Sequence, residues 1–194
     1  NLQRYPVLLP QLFDEPPERL AHLRLHNGTI WRWNRPLIGF SATGRPHIRL
    51  EHRVLPSGPT LTDCVANAAI FCGSMRALAA DPILLERRLP FERARSNFYA
   101  AAREGLEADI HWVDGRRGSL RALILHLLLP LAEQGLSLWG VDDEERRYWL
   151  NIVRDRVRSG QTGAIWQRAF VEKHGADMQD PPSPTSNVSS RIIR

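Results

Sequence analysis

His47-Ile48-Arg49-Leu50-Glu51-His52-Arg53-Val54, closed by Pro56-Ser57-Gly58-Pro59, is the stretch on which the reading of the fold turns. Successive side chains of a strand point to opposite faces. Ile48, Leu50, His52 and Val54 then share a mostly apolar face able to pack on a core, with His52 as a core histidine. His47, Arg49, Glu51 and Arg53 share the other face, which sets one carboxylate between two arginines. A solvated antiparallel strand shows the same alternation. The pattern alone leaves its function open.

Working upstream, Thr29 to Arg35 is rich in β-formers (Thr29, Ile30, Trp31, Trp33) and reads as a strand ending at Pro36. Asn27-Gly28 before it is a turn signal, and Glu18 to Leu25 a short helix. Leu37 to Pro46, with Gly39, Ser41, Gly44 and Pro46, reads as a long hairpin loop. Trp31, Trp33 and Arg35 alternate with Ile30, Arg32 and Asn34, so neither face of this strand is a plain core face. A wet cleft for a planar or anionic ligand explains such residues; so does an aromatic ladder with arginines stacked on it.

Downstream the period changes from two to helical. Thr60 is a good N-cap, with Asp63 near the positive end of a helix that runs to about Ala80. Further helices are expected over Pro90 to Ala108, Leu120 to Gln134, Asp142 to Ser159 and Gly163 to His174. Ile110 to Val113 reads as a short strand or loop. The expected class is α+β: an antiparallel hairpin followed by a mostly helical C-terminal region.

Composition narrows the function classes. Hydrophobic residues make up 43% of the 194, which is globular rather than disordered. No apolar run approaches the roughly 20 residues that a membrane helix needs. The longest, Ala122 to Ala132, contains His126 and Pro130. The net charge of +5 is carried almost entirely by arginine, Lys173 being the only lysine. Those arginines run beside acids, as in Asp142-Asp143-Glu144-Glu145-Arg146-Arg147, which describes a mixed solvated surface and not a nucleic-acid stripe. Cys64 and Cys72, in an apolar stretch, read as buried structural thiols and fit a reducing compartment, the cytoplasm. His22 and His26 have a spacing that zinc can use, but no third ligand accompanies them. No P-loop, dinucleotide fingerprint or nucleophile elbow occurs. Trp112, Trp139, Trp149 and Trp166 sit in or beside helical patterns and read as core.

The two strand regions together resemble a known family. His26-Asn27-Gly28-Thr29-Ile30-Trp31-Arg32-Trp33-Asn34-Arg35-Pro36 supplies an aromatic strand ending in Arg-Pro. Pro46 to Thr60 supplies a strand with Glu-x-Arg running into a proline-bounded turn and a long helix. These pieces, with the apolar helix from Val65 to Ala80, are similar to the glutamate–cysteine ligase family, in its bacterial carboxylate–amine ligase branch.

The resemblance implies part of a glutamine-synthetase-like domain, an antiparallel sheet cupped by helices. It implies an enzyme that phosphorylates a glutamate-like carboxylate with ATP and lets an amine attack the acyl phosphate. It points to Glu51 as a Mg²⁺ ligand, Arg53 on the transferred phosphate, Arg35 near phosphate and Trp31 near nucleotide or substrate. Trp33 and Arg49, on the same two strands, join Trp31 as candidate cofactor-binding residues.

Such a site needs further carboxylates, expected on strands before this segment. Residues 1–178 are accordingly expected to be the C-terminal part of the catalytic domain, and 179–194 a Pro/Ser-rich tail. A chain of this extent is expected to be inactive alone and able to associate through exposed strand edges as a homo-oligomer. The alternative is a non-catalytic nucleotide-binding or pseudoenzyme module.

Overall fold

The computed structural model describes residues 11–29, 33–54, 58–82 and 85–175. The chain divides into two compact units, Asn1–Pro56 and Ser57–Arg194. Trp31, with Ile30 and Arg32, lies outside the described residues, as do Pro56-Ser57 and the 179–194 tail.

The first unit is a helix and a hairpin. Helix α1 spans Ala21–Thr29, so the expected turn at Asn27-Gly28 is instead its last turn. Strands β1 (Asn34–Phe40) and β2 (Pro46–His52) pair antiparallel, with Arg35 opposite Glu51, Leu37 opposite Arg49 and Gly39 opposite His47. The first strand was expected to stop at Pro36 and to be followed by a long loop; it runs four residues further, to Phe40. Register explains the tolerance of proline. The ladder bonds Arg53 N–H to Trp33 O and Ser41 N–H to Arg45 O put the hydrogen-bonded pairs at odd positions of β1. Pro36 therefore stands at a non-hydrogen-bonded position, where its missing N–H costs the ladder nothing. The loop shrinks to Ser41–Arg45, closed by Gly44 N–H on Ser41 O at 2.9 Å. Gly44 turns the chain with φ of 79°, a conformation that glycine adopts without strain.

A further expectation for this hairpin fails. Ile48 and Leu50 are 77% and 58% exposed, so the apolar face of β2 meets no core among the described residues. A two-stranded sheet leaves β2 an edge strand with little to pack against.

The second unit is mostly helical, which completes an α+β fold. Helix α2 (Leu61–Ala79) starts as expected at Thr60, whose hydroxyl accepts from Asp63 N–H at 3.1 Å. Helix α3 (Phe91–Glu104) leads into a small hairpin, β3 (Asp109–His111) with β4 (Arg117–Ser119). The sequence allows a strand here, and Asp114-Gly115, with Gly115 at φ of 83°, is the turn signal that announces its partner. Helix α4 (Leu120–Leu123) opens into a π turn over Ile124–Leu128 and resumes as α5 (Leu129–Leu138). Pro130, near the start of α5, has no N–H to give the preceding turn, and the helix widens there.

Helix α6 (Asp143–Ser159) carries every end signal: Asp142 as N-cap, acids in the first turn, arginines in the last, and left-handed Gly160 beyond. Helix α7 (Gly163–His174) follows, capped by Thr162. The core gathers Ala66 of α2, Leu129, Ala132 and Leu136 of α5, and the stripe Leu150, Val153 and Val157 of α6. A smaller cluster joins Ala108, Ile110 and Leu123. Cys64 and Cys72 are unpaired and half-buried rather than buried. Trp112, Trp149 and Trp166 are half-buried, whereas Trp139, expected in the core, is 56% exposed because it sits just past the end of α5.

Candidate active site

The register decides a point that alternation leaves open. Residues directly opposite in an antiparallel pair share a face. Arg35 stands opposite Glu51, so Trp33, Arg35 and Leu37 of the first strand region face the same way as Arg49, Glu51 and Arg53 of the second.

On that face Arg35 donates Nε–H to Glu51 Oε2 at 2.8 Å, and its Nη2 lies 2.7 Å from the same oxygen. Arg53 Nε lies 3.9 Å from the same Oε2. All three contacts use one oxygen of the carboxylate. Arg35 is the most enclosed of the three side chains, at 16% exposure against 34% for Glu51 and 30% for Arg53. Its remaining arm, Nη1, donates to the carbonyl of Gly28 in the last turn of α1. That carbonyl belongs to the negative end of a helix, which suits a cation.

Trp33 is half-exposed on this face and bonded to Arg53 through the ladder at 2.9 Å. Arg49 is exposed one pair further along, where its side chain and that of His47 lie over Gly39; a Cβ at Gly39 would meet His47 Cε1 at 2.7 Å. The hairpin thus brings Arg35, Glu51, Arg53, Trp33 and Arg49 together. Trp31 is the one candidate outside the described residues.

On the opposite face, His52 Nδ1 lies 2.6 Å from Asn34 Oδ1. It is half-buried rather than a core histidine, and burial pushes its pKa below the ordinary value. His22 and His26 diverge. His22 is exposed with Nε2 at 2.7 Å from Gln11 O, and His26 is buried, so the zinc spacing is not used as a pair. Among the described residues no three or more His, Cys, Asp or Glu side chains gather. Among the described residues, a cation at this site would find one carboxylate, Glu51.

Two contributors escaped the sequence reading. Asn27, buried at the end of α1, donates its side-chain amide to Pro36 O. Gly28 acts through its carbonyl. The only signal was Asn-Gly itself, which reads as a turn, and a backbone acceptor leaves no trace in residue types.

The profile of Glutamate-cysteine ligase family 2 (GCS2) matches residues 13–182, most of the chain and all of this hairpin. The chain belongs to Glutamate-cysteine ligase family 2. No curated protein matches it. Membership in Glutamate-cysteine ligase family 2 makes it a glutamate–cysteine ligase-like chain at family level, in agreement with the resemblance carried by the two strands. No helix among the described residues is long and apolar enough to cross a membrane.

Proposed function

We propose that this chain is part of an ATP-dependent carboxylate–amine ligase that joins a glutamate-like acid to an amine through an acyl phosphate. The observation that carries the reading is the Glu51 carboxylate held between Arg35 and Arg53 on a face that also presents Trp33 and Arg49.

The chemistry asks for this combination. Phosphoryl transfer depends on positioning and on positive charge around the moving group. Mg²⁺ is commonly held by one or two carboxylates together with phosphate oxygens and water. Glu51 fits one such ligand, because its arginine contacts use Oε2 alone and leave capacity on the carboxylate. When bound, Mg²⁺ supplies charge neutralisation at the phosphates. Arg53 contacts the transferred phosphate, Arg49 adds positive charge along the same face, and Trp33 offers an aromatic surface to the nucleotide.

In the first step an oxygen of the acid attacks the γ-phosphorus and ADP leaves. In the second the amine attacks the acyl carbon, phosphate leaves with the C–O bond electrons, and the amine gives up a proton. Both substrates are small molecules. The reaction calls for further carboxylates, and the described residues bring Glu51 alone to this face, so on this reading these residues by themselves are inactive.

The test is ADP release by the full-length protein with Mg-ATP, L-glutamate and a panel of amines including cysteine. Release that needs both acid and amine, and that falls at least about a hundredfold in Glu51→Gln, supports the reading. Equal, amine-independent behaviour of the two proteins overturns it and favours a non-catalytic nucleotide-binding module.

A further inference from the structure

All three guanidinium nitrogens of Arg35 make a contact inside the hairpin unit, using three of its five N–H donors. Nε and Nη2 converge on Glu51 Oε2, Nη1 reaches Gly28 O, and the side chain is 16% exposed. A guanidinium engaged at all three nitrogens holds its neighbours in place. The neighbour is Glu51, and the anchor is the last turn of α1.

That anchor is built by a second contact. In a two-stranded ribbon the carbonyl of a non-hydrogen-bonded residue points away from the partner strand. Pro36 is such a residue, so its carbonyl faces outward from β1. The buried Asn27 amide covers it. Asn27 and Gly28 therefore grip adjacent residues of β1, Pro36 through its backbone and Arg35 through its side chain. An isolated hairpin is marginal in water, and this grip is what sets the height of Arg35, and through it Glu51, on the sheet.

We propose that Asn27 is a positioning residue for the Glu51 cation site: its amide locks the end of α1 to β1, the Gly28 carbonyl then fixes Arg35, and Arg35 holds one oxygen of Glu51 so that the carboxylate keeps a single orientation. Groups that hold a metal ligand in place are commonly worth about tenfold or more in metal affinity. The inference rests on the reading of Glu51 as a cation ligand given above.

Mn²⁺ affinity of the full-length protein in the presence of a non-hydrolysable ATP analogue, followed by the electron paramagnetic resonance signal of free Mn²⁺, separates the two. Asn27→Asp keeps shape and volume and removes the donor. Arg35→Lys keeps the charge and cannot span Gly28 and Glu51 together; it serves if the first variant fails to fold, as judged by the thermal unfolding midpoint. Glu51→Gln is run beside them. The expected result is an affinity about tenfold weaker in the folded Asn27→Asp and Arg35→Lys proteins, with a larger loss in Glu51→Gln. A loss in Glu51→Gln alone, with the other folded variants at wild-type affinity, overturns the positioning role. No change even in Glu51→Gln overturns the reading of Glu51 on which it rests.

Discussion

Gly73 on α2 and Gly135 on α5 meet backbone to backbone: a Cβ built on Gly135 would collide with the Gly73 carbonyl, and one on Gly73 with the backbone of Ala132. Ala66 and Ala77 extend the same small-residue stripe of α2, and both are buried. The two helices pack this closely only because nothing larger stands between them. In a helix interior Gly→Ala ordinarily stabilises by up to about 1 kcal/mol. At Gly135 the sign reverses, and Gly135→Ala should cost about 2 kcal/mol or more in urea unfolding, because the two helices can make room only by moving apart and losing the packing between them. Gly163→Ala is the control. A Cβ there meets only Pro59 Cδ at 3.9 Å, so that variant should gain a few tenths to about 1 kcal/mol.

Asp63 ties two helices of the second unit together. Arg156 of α6 donates Nη2–H to Asp63 Oδ1 at 2.5 Å and Nη1–H to Asn67 Oδ1 at 2.7 Å. Both partners of the ion pair are about one-fifth exposed, at 21% and 18%. Asp63→Ala should therefore lose about 2 kcal/mol, with a coupling to Arg156→Ala of about 1 kcal/mol in a double-mutant cycle. A coupling indistinguishable from zero would show the pair to be a bystander.

Arg121 closes the far end of α6. Its guanidinium bonds Glu107 Oε1 at 2.7 Å and donates to the carbonyls of Val157 and Arg158, in the last turn of that helix. Arg121→Ala leaves those carbonyls to water and should fray the turn. Amide hydrogen exchange should quicken over the last turn before Gly160 by about tenfold, while the Leu150 to Val153 region keeps its protection.

His52 gives a pH dependence. Burial lowers its pKa from the ordinary 6.5, so the folded hairpin prefers the neutral ring. The unfolded chain then binds the proton more readily, and stability rises with pH across the window. The contribution is complete above pH 6.5 and is lost as the pH falls below it toward the depressed folded value. Histidine NMR should place the His52 midpoint under 6.5, and His52→Gln should flatten that part of the stability curve. A midpoint at or above 6.5 contradicts the burial argument.

The helices of the second unit were legible because their signals are local. Thr60, Asp142 and Thr162 each accept from the backbone N–H three residues on, and Gly160 stops α6 in a left-handed conformation. Capping and end chemistry are settled within one turn of chain, so residue types report them faithfully. The alternation in 47–54 likewise put Glu51 and Arg53 on one face before any pairing was known. Leu37 to Phe40, read as loop, belongs to β1, and was missed for the converse reason. Whether a strand tolerates Pro36 depends on which of its residues exchange bonds with the partner, and that depends on the register with β2.

By itself the sequence determined the α+β class, the family, the helical order of 60–174 and the residue types of the candidate site. That Arg35 stands opposite Glu51, that the end of α1 grips both Arg35 and Pro36, and that Gly73 and Gly135 touch emerge from the folded chain alone. The reason is physical. Caps and periodicity are short-range and written in side chains, whereas these three relationships run through strand register and backbone carbonyls, which every residue type possesses alike.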